Sequence, residues 1–478
     1  MPATRVEVPE VPHDLREGLA LLQDKLGLPH EFPADVLQEA ELAAELPVHD
    51  HVDRTDIEFV TIDPASSTDL DQALQIERDG DSFLVRYAIS DVGHFVQPGT
   101  ALEAETHRRG QTKYAPSARV PLHPPVLSEG AASLLADSVP RPAMLWELRL
   151  DARGELVDVA LTRAMVLNHA KLSYEQVQAD LDAGTAHRSI ELLPEVGRLR
   201  EQLEIERGGV SLNLPEQEIV QHDGTWDLEF RALVPVENWN AQISLLTGFT
   251  AADVMLKGKV GILRTLPPAE KWSIDKLRRS ARTLGVEWPK GMSYPDFVRS
   301  LSPDVPAELA VLTKCTMLFR GAGYVAFNGE LPVGNLEHSA LAAPYAHTTA
   351  PLRRLVDRYV LEICHALING LPVPAWATEG LDVLPEEMAE AGRSANAYER
   401  GVIDLTEALV LSSRVGEVFT GVITDVNPKN SQGTVQIADP AVELRVKAKQ
   451  DEVGTEIEVR IDKVDVVEGR VELSRTGR

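Results

Sequence analysis

One stretch restricts the fold and chemistry of this chain more than any other: Thr61-Ile62-Asp63-Pro64-Ala65-Ser66-Ser67-Thr68-Asp69-Leu70-Asp71-Gln72. Three carboxylates fall within nine residues, directly after the apolar strand segment Phe59-Val60-Thr61-Ile62. Pro64 ends the strand, and the small residues after it form a loop. Asp69 and Asp71 are two apart, so in extended backbone they point the same way, and Asp63 approaches from the strand end. Hard oxygen ligands converging on one loop suit Mg²⁺ or Mn²⁺. Two such ions can activate a water and stabilise the leaving oxygen in phosphodiester hydrolysis. A solvated acidic turn is the competing reading, and for this pattern alone it is the commoner one.

Acid dominates the whole chain. Its 478 residues carry 47 Lys and Arg against 74 Asp and Glu, a net charge of -27. Such a balance disfavours loose, nonspecific binding to phosphate. The excess is uneven, with 4 basic and 14 acidic residues in 1–60 but 10 and 12 in 414–478. A lined channel for RNA is compatible with it, especially where metal ions offset carboxylates. The 44% hydrophobic content excludes disorder as the main state. No apolar run approaches the roughly 20 residues of a membrane helix. The N-terminal stretch lacks a signal-peptide pattern. Two distant cysteines, Cys315 and Cys364, make neither a disulfide framework nor a zinc cluster, so a cytoplasmic location is expected.

Three regions follow from the pattern. Residues 1–57 read as short helices: Leu15, Leu19, Leu22 and Leu26 have helical spacing, Gly27 stops the run, and a second helix starts near Pro33-Ala34-Asp35. They make either a helix-turn-helix-like module or an acidic appendage packed on the next domain. Residues 58–413 open with strands and become helical after about residue 236. Residues 414–478 hold five β-branched segments, Val418–Val426, Gly433–Ile437, Glu443–Val446, Glu456–Val464 and Arg470–Leu473. Five short strands fit an OB-type barrel, a fold that often binds single-stranded nucleic acid. The fold class is therefore α+β and multidomain.

The acidic stretch is the first of several ordered blocks. Phe59–Leu74, then Tyr87-Ala88-Ile89-Ser90-Asp91-Val92 with His94, then Thr112-Lys113-Tyr114 followed by Pro121, Ser133-Leu134 and Val139-Pro140-Arg141, together resemble the ribonuclease II (RNB) family of 3'-to-5' exoribonucleases. Ala170-Lys171-Leu172-Ser173-Tyr174 and Tyr345-Ala346-His347-Thr348-Thr349-Ala350-Pro351-Leu352-Arg353-Arg354 continue the likeness. It covers about residues 58–413 as an RNB catalytic domain of mixed α/β structure, with an S1-type barrel after it.

The resemblance implies the following roles. Asp63, Asp69 and Asp71 match three of the family's four metal-site aspartates, and Asp71 matches the one on which catalysis leans most. Gln72 stands where the fourth is usual, offering at most a carbonyl oxygen. Tyr114 and Tyr174 match tyrosines that contact RNA, where bases stack on aromatic faces at about 1–3 kcal/mol each. Leu212 takes the place of a phenylalanine that clamps a base with the first tyrosine. Arg353 matches the arginine holding the scissile phosphate, a task for a planar guanidinium. Arg354, His347 and Glu399 are further RNA-binding candidates. Without the resemblance, the tyrosines read as core, Arg353 and Arg354 as partners of Asp357 or Glu362, and Glu399 as helix surface. His347 either donates to phosphate or caps its loop. Asp91 reads as a structural acceptor in preference to a site ligand.

The leading functional expectation is a monomeric, hydrolytic, processive exoribonuclease. It degrades single-stranded RNA to nucleoside 5'-monophosphates with Mg²⁺ or Mn²⁺, two ions, and needs no membrane. Two rivals remain: a catalytically weak RNA-binding regulator, supported by Gln72 and Leu212, and a phosphodiesterase of small nucleotides. Phe419 is the barrel's lone aromatic residue, so weak RNA binding is expected there.

Overall fold

The computed structural model describes residues 5–6, 12–115, 118–212, 214–222, 225–303, 305–427, 430–437 and 439–476. Parts of the expected N-terminal and C-terminal regions, 1–4, 7–11, 428–429, 438 and 477–478, lie outside the described residues.

A mixed seven-stranded sheet forms the centre. Its spatial order is Asn168–Leu172, Phe59–Ile62, Gln72–Asp79, Ser82–Ser90, Arg141–Leu150, Leu156–Val166 and Val52–Asp53. The outermost pairs are parallel and the inner pairs antiparallel. Alternation sets its two faces. Val85, Tyr87 and Ile89 join Val60, Ile76 and Trp146 in the larger core, under helices Pro235–Gly258 and Leu355–Ile368, which contribute Trp239, Ile243, Val356 and Val360. On the opposite face, small residues Ala73, Ala88, Ala143 and Ala164 pack with Phe59, Leu70 and Leu145.

Two N-terminal helices, α1 (His13–Lys25) and α2 (Ala34–Ala44), follow the expected spacing. They bury their apolar faces in different places. Leu15 and Leu19 of α1 lie against Tyr398, Val402, Leu405 and Leu409 of the long helix Leu384–Ser412. Val36, Ala40 and Ala43 of α2 lie against Val92, Phe95, Leu102 and Leu127. This is the packing of an appendage spread over the body.

The C-terminal strands are Val418–Asn427, Gln432–Ile437, Val442–Lys447, Glu456–Asp465 and Arg470–Arg475. Each contains the segment expected from sequence. They form an antiparallel sheet in the order third, second, first, fourth, fifth, curled into a nearly closed barrel. Its interior holds Ile423, Val435, Ile437, Leu444, Val459 and Ile461, together with Val410 and Leu411 from the end of the long helix.

Candidate active site

The acidic loop is held from several sides. Lys171 Nζ donates to the carbonyls of Ala65 and Ser67, each at 2.6 Å. The Ser133 hydroxyl donates to the Thr68 carbonyl at 2.8 Å and accepts from the Leu70 N–H at 2.9 Å. The Ser90 N–H donates to the Asp71 carbonyl, which places Asp71 at the head of the strand Gln72–Asp79. Local backbone bonding thus fixes where the carboxylates emerge.

Facing it is the segment 345–354. The Ala346 N–H donates to the carbonyl of Gly248 in the helix Pro235–Gly258. A Cβ at Gly248 would lie 2.1 Å from the Tyr345 ring and 2.6 Å from the Ala346 carbonyl, so only glycine permits this approach. Asp357, in the first turn of the helix Leu355–Ile368, accepts from the Ala350 N–H at 2.7 Å. The Thr112 N–H donates to the Arg353 carbonyl at 3.0 Å.

The two loops meet at Asp71. Its Oδ1 accepts from the Leu352 N–H at 2.7 Å, and its Oδ2 lies 3.8 Å from Arg353 Nε. Asp71 is buried, and burial drives its carboxyl well above the usual carboxylate range. Arg353 and the Leu352 N–H oppose that shift, whereas Asp69 adds to it. Asp69 accepts from the Tyr114 hydroxyl at 2.7 Å and pairs with Arg119 at 3.2 Å. Asp63 receives its position from a backbone bond to the Leu172 carbonyl, 3.1 Å. It stands near Tyr174, whose hydroxyl is pushed up by burial and then by Asp63.

These donors have the right chemistry for a hard divalent cation: carboxylate oxygens, one of them desolvated and crowded by a second. Among the described residues, however, no three His, Cys, Asp or Glu side chains are gathered into a formed metal site. The positive charge now offsetting the acids comes from Arg119 and Arg353.

A cavity of about 250 Å³ opens beside this junction, lined among others by Lys113, Tyr114, Arg353, Arg354, Asn396 and Glu399. Tyr114 is 47% exposed, so its ring is open while its hydroxyl rests on Asp69. The Arg353 side chain is 46% exposed. Glu399 comes from the long helix, and burial raises its carboxyl. Tyr114, Arg353 and Glu399, separated by up to 285 positions in the sequence, therefore share one space.

Other expectations need correction. Arg354 borders the cavity but is committed to Asp357 through a two-pronged pair at 2.8 and 2.9 Å, the ion pair that was the alternative to an RNA contact. Gln72 does not turn its carbonyl toward the carboxylates. Its amide donates to the Thr349 carbonyl and accepts from the Tyr87 hydroxyl at 3.3 Å, tying the acidic loop to the facing segment. Leu212 does not share the Tyr114 cavity. It packs beside Leu214 and Phe297, and lines a neighbouring cavity of about 1100 Å³ with Arg264, Arg320, Arg393 and Arg400. His347 Nδ1 meets the Tyr324 hydroxyl at 2.7 Å, a side-chain partner on the strand Gly323–Asn328. Burial, and then Arg354, Arg264 and Arg353, hold its ring well below the usual range, hence neutral. Asp91 is structural, bonded to His51 at 2.9 Å and to Arg163, which also holds Glu362.

Sequence reasoning missed Arg119 and the supports Lys171 and Ser133. Arg119 lies in the three-residue strand Ala118–Val120, opposite Tyr114, too short a strand for any periodicity to mark it. The need of Asp69 for a counter-charge was the available signal.

Comparison with known proteins agrees with this architecture. A family profile described as the RNB domain matches residues 51–370, and one described as the RNase II-type exonuclease C-terminal S1 domain matches 417–476. The chain therefore belongs to the RNB family. Ribonuclease R of Vibrio cholerae serotype O1 is 28% identical over 436 residues, covering 84% of this chain and 52% of that protein. Ribonuclease R of Escherichia coli K12 is 28% identical over 434 residues, with the same coverages. This chain thus spans about half the length of those relatives. Among solved structures, Mycoplasma genitalium RNase R in complex with ribose-methylated single-stranded RNA superposes with a TM-score of 0.84 at 19% identity, covering 97% of this chain and 78% of that one. Yeast Ssd1, a pseudonuclease, gives 0.68 at 16% identity, covering 94% and 59%. At these identities the structural likeness concerns the fold. Among the described residues no helix is long and apolar enough to cross a membrane.

Proposed function

We propose that this chain is a hydrolytic, processive 3'-to-5' exoribonuclease that degrades single-stranded RNA to nucleoside 5'-monophosphates, working as a cytoplasmic monomer. The convergence of an open tyrosine ring, a half-exposed arginine and a buried aspartate around one cavity carries this reading. Tyr114 receives a base on its ring, with its hydroxyl anchored by Asp69. Arg353 grips the scissile phosphate and offsets charge gathering on it. Its looseness, 3.8 Å from Asp71, leaves its donors available. The Leu352 N–H keeps Asp71 aimed at the same point. Asp63, Asp69 and Asp71 would hold one or two Mg²⁺ or Mn²⁺ ions, which supply Lewis-acid activation for phosphodiester hydrolysis when bound. Glu399 contacts the terminal nucleotide, and Tyr174 a neighbouring one.

The route for RNA is the adjoining arginine cavity. Arg264, Arg320, Arg393 and Arg400 line it without any carboxylate among its lining residues, and Asn396 borders both cavities. An acidic protein can thereby attract phosphate locally. A second reading, an RNA-binding protein with weak catalysis, draws on the diversion of Gln72 to Thr349 and Tyr87. Purified protein with 5'-labelled single-stranded RNA, with and without Mg²⁺ or Mn²⁺, separates the two. A metal-dependent ladder of shortened fragments is expected. RNA retained intact under every metal condition would leave only the binding role.

A further inference from the structure

Lys113 is the first residue of the short strand Lys113–Ala115, next to Tyr114. It is 5% exposed, yet no carboxylate among the described residues lies within ion-pair distance of it. Its ammonium makes two long bonds, to the carbonyls of Arg109 at 3.3 Å and Gln111 at 3.4 Å. Arg109 adds like charge nearby and is itself taken up by Glu105. Burial, and then Arg109, pull the amine down to about 8. A buried ammonium without a counter-ion is costly, and structural lysines at such depth are ordinarily paired.

Its position suggests what completes it. Lys113 lines the 250 Å³ cavity with Tyr114 and Arg353. It also lines a second cavity of about 840 Å³, bounded by residues Leu26–Pro33 between α1 and α2 and by Glu387 and Glu390 of the long helix. Lys113 therefore stands in the wall between the two. Hydrolysis changes the charge of the phosphate: a diester carries one negative charge, whereas the released monoester carries about −1.5 to −2 at neutral pH. Arg353, beside Asp71, serves the diester. A cation set one step away, and lacking a partner, suits the additional charge that exists only after cleavage.

We propose that Lys113 forms a binding site for the phosphate of the released nucleoside 5'-monophosphate, at the wall between the catalytic cavity and the cavity beneath residues 26–33. This rests on the exoribonuclease reading. Calorimetric titration of the full chain with AMP and with adenosine tests it directly. The parent protein should bind AMP at least about tenfold more tightly than adenosine, the weight of one charge-assisted contact. Lys113→Met should erase that preference, and Lys113→Arg, which keeps the charge, should retain most of it. Equal affinities in the parent, or an undiminished preference in Lys113→Met, would overturn the site. Should the Met variant fail to fold, Lys113→Gln, neutral and of similar length, makes the same test. Cleavage of labelled RNA by the same parent preparation keeps the two readings apart: a cleaving enzyme without AMP preference loses only the Lys113 site, whereas AMP preference without cleavage removes the nuclease reading.

Discussion

In the seven-stranded sheet, the residues proposed for chemistry sit where strands stop. Asp63 follows Ile62, and Asp71 precedes Gln72. Tyr114 and Arg353 come from a short hairpin and a turn before a helix. In the five-stranded barrel the information lies within the strands, as the alternation of Ile457, Val459 and Ile461 with Glu456, Glu458 and Arg460. The first region depends on single polar bonds, such as Leu352 N–H to Asp71, that have no substitute. The second depends on a summed apolar interior in which neighbours share the load. A polar site loses its purpose through one atom, whereas a barrel loses stability by degrees.

The comparison can be broken at its strongest point first. Asp71→Asn keeps shape but removes charge from the centre of the site, and should slow cleavage more than about 100-fold, several kcal/mol of transition-state stabilisation. RNA affinity measured without cleavage should stay within about threefold, under ~1 kcal/mol. Near-parental turnover would detach the carboxylates from the chemistry. In the barrel, Ile461→Ala should cost about 2–5 kcal/mol of local stability. Long RNA should then need a higher concentration for half-maximal cleavage, while a short oligonucleotide is cleaved as before. Equal losses on both substrates would erase the division of labour.

Arg353 sharpens the contrast within the body. Arg353→Lys keeps the charge but not the planar fork, so single-turnover cleavage should fall roughly ten- to a hundred-fold, about 1.5–3 kcal/mol, with an unchanged denaturant midpoint. The smallest effect belongs to the junction of body and barrel. Glu407, on the long helix, is buried and accepts from the Glu443 N–H at 2.7 Å, and burial raises its carboxyl to about 8. A carboxyl raised in the fold gives full stability below its ordinary value of 4.5 and loses it as pH climbs toward 8. Glu407→Gln should therefore raise the Tm by roughly 2–4 °C at about pH 8.5 and leave it unchanged near pH 5. Identical shifts at both pH values would show that the carboxyl is not the cause.

The barrel was almost wholly legible in the sequence, because period-2 alternation is a local property and all its strand pairings but one, first with fourth, join sequence neighbours. The same holds for α1, whose leucine spacing predicts its buried face. The site was legible only in part. The family blocks carried Asp71, Tyr114, Arg353 and Glu399, but no local pattern says that Arg354, next to Arg353, commits its guanidinium to Asp357. Nor does any pattern show that Gln72 spends its amide on Thr349, 277 positions away. Orientation there is decided by which distant backbone groups need partners. That information exists only once the chain is folded.

The helix Leu384–Ser412 also acts as a ruler. One continuous 29-residue rod carries Glu399 at the cavity beside Arg353 and Val410 and Leu411 inside the barrel's core. At 1.5 Å per residue, those stations lie roughly 16 Å apart along its axis. The spacing between the barrel and the cavity is thus written in residue number, not left to a hinge. Inserting or deleting a single residue between 400 and 409 would rotate one station by about 100° relative to the other. Of all the lengths in this chain, that interval has the least freedom to drift.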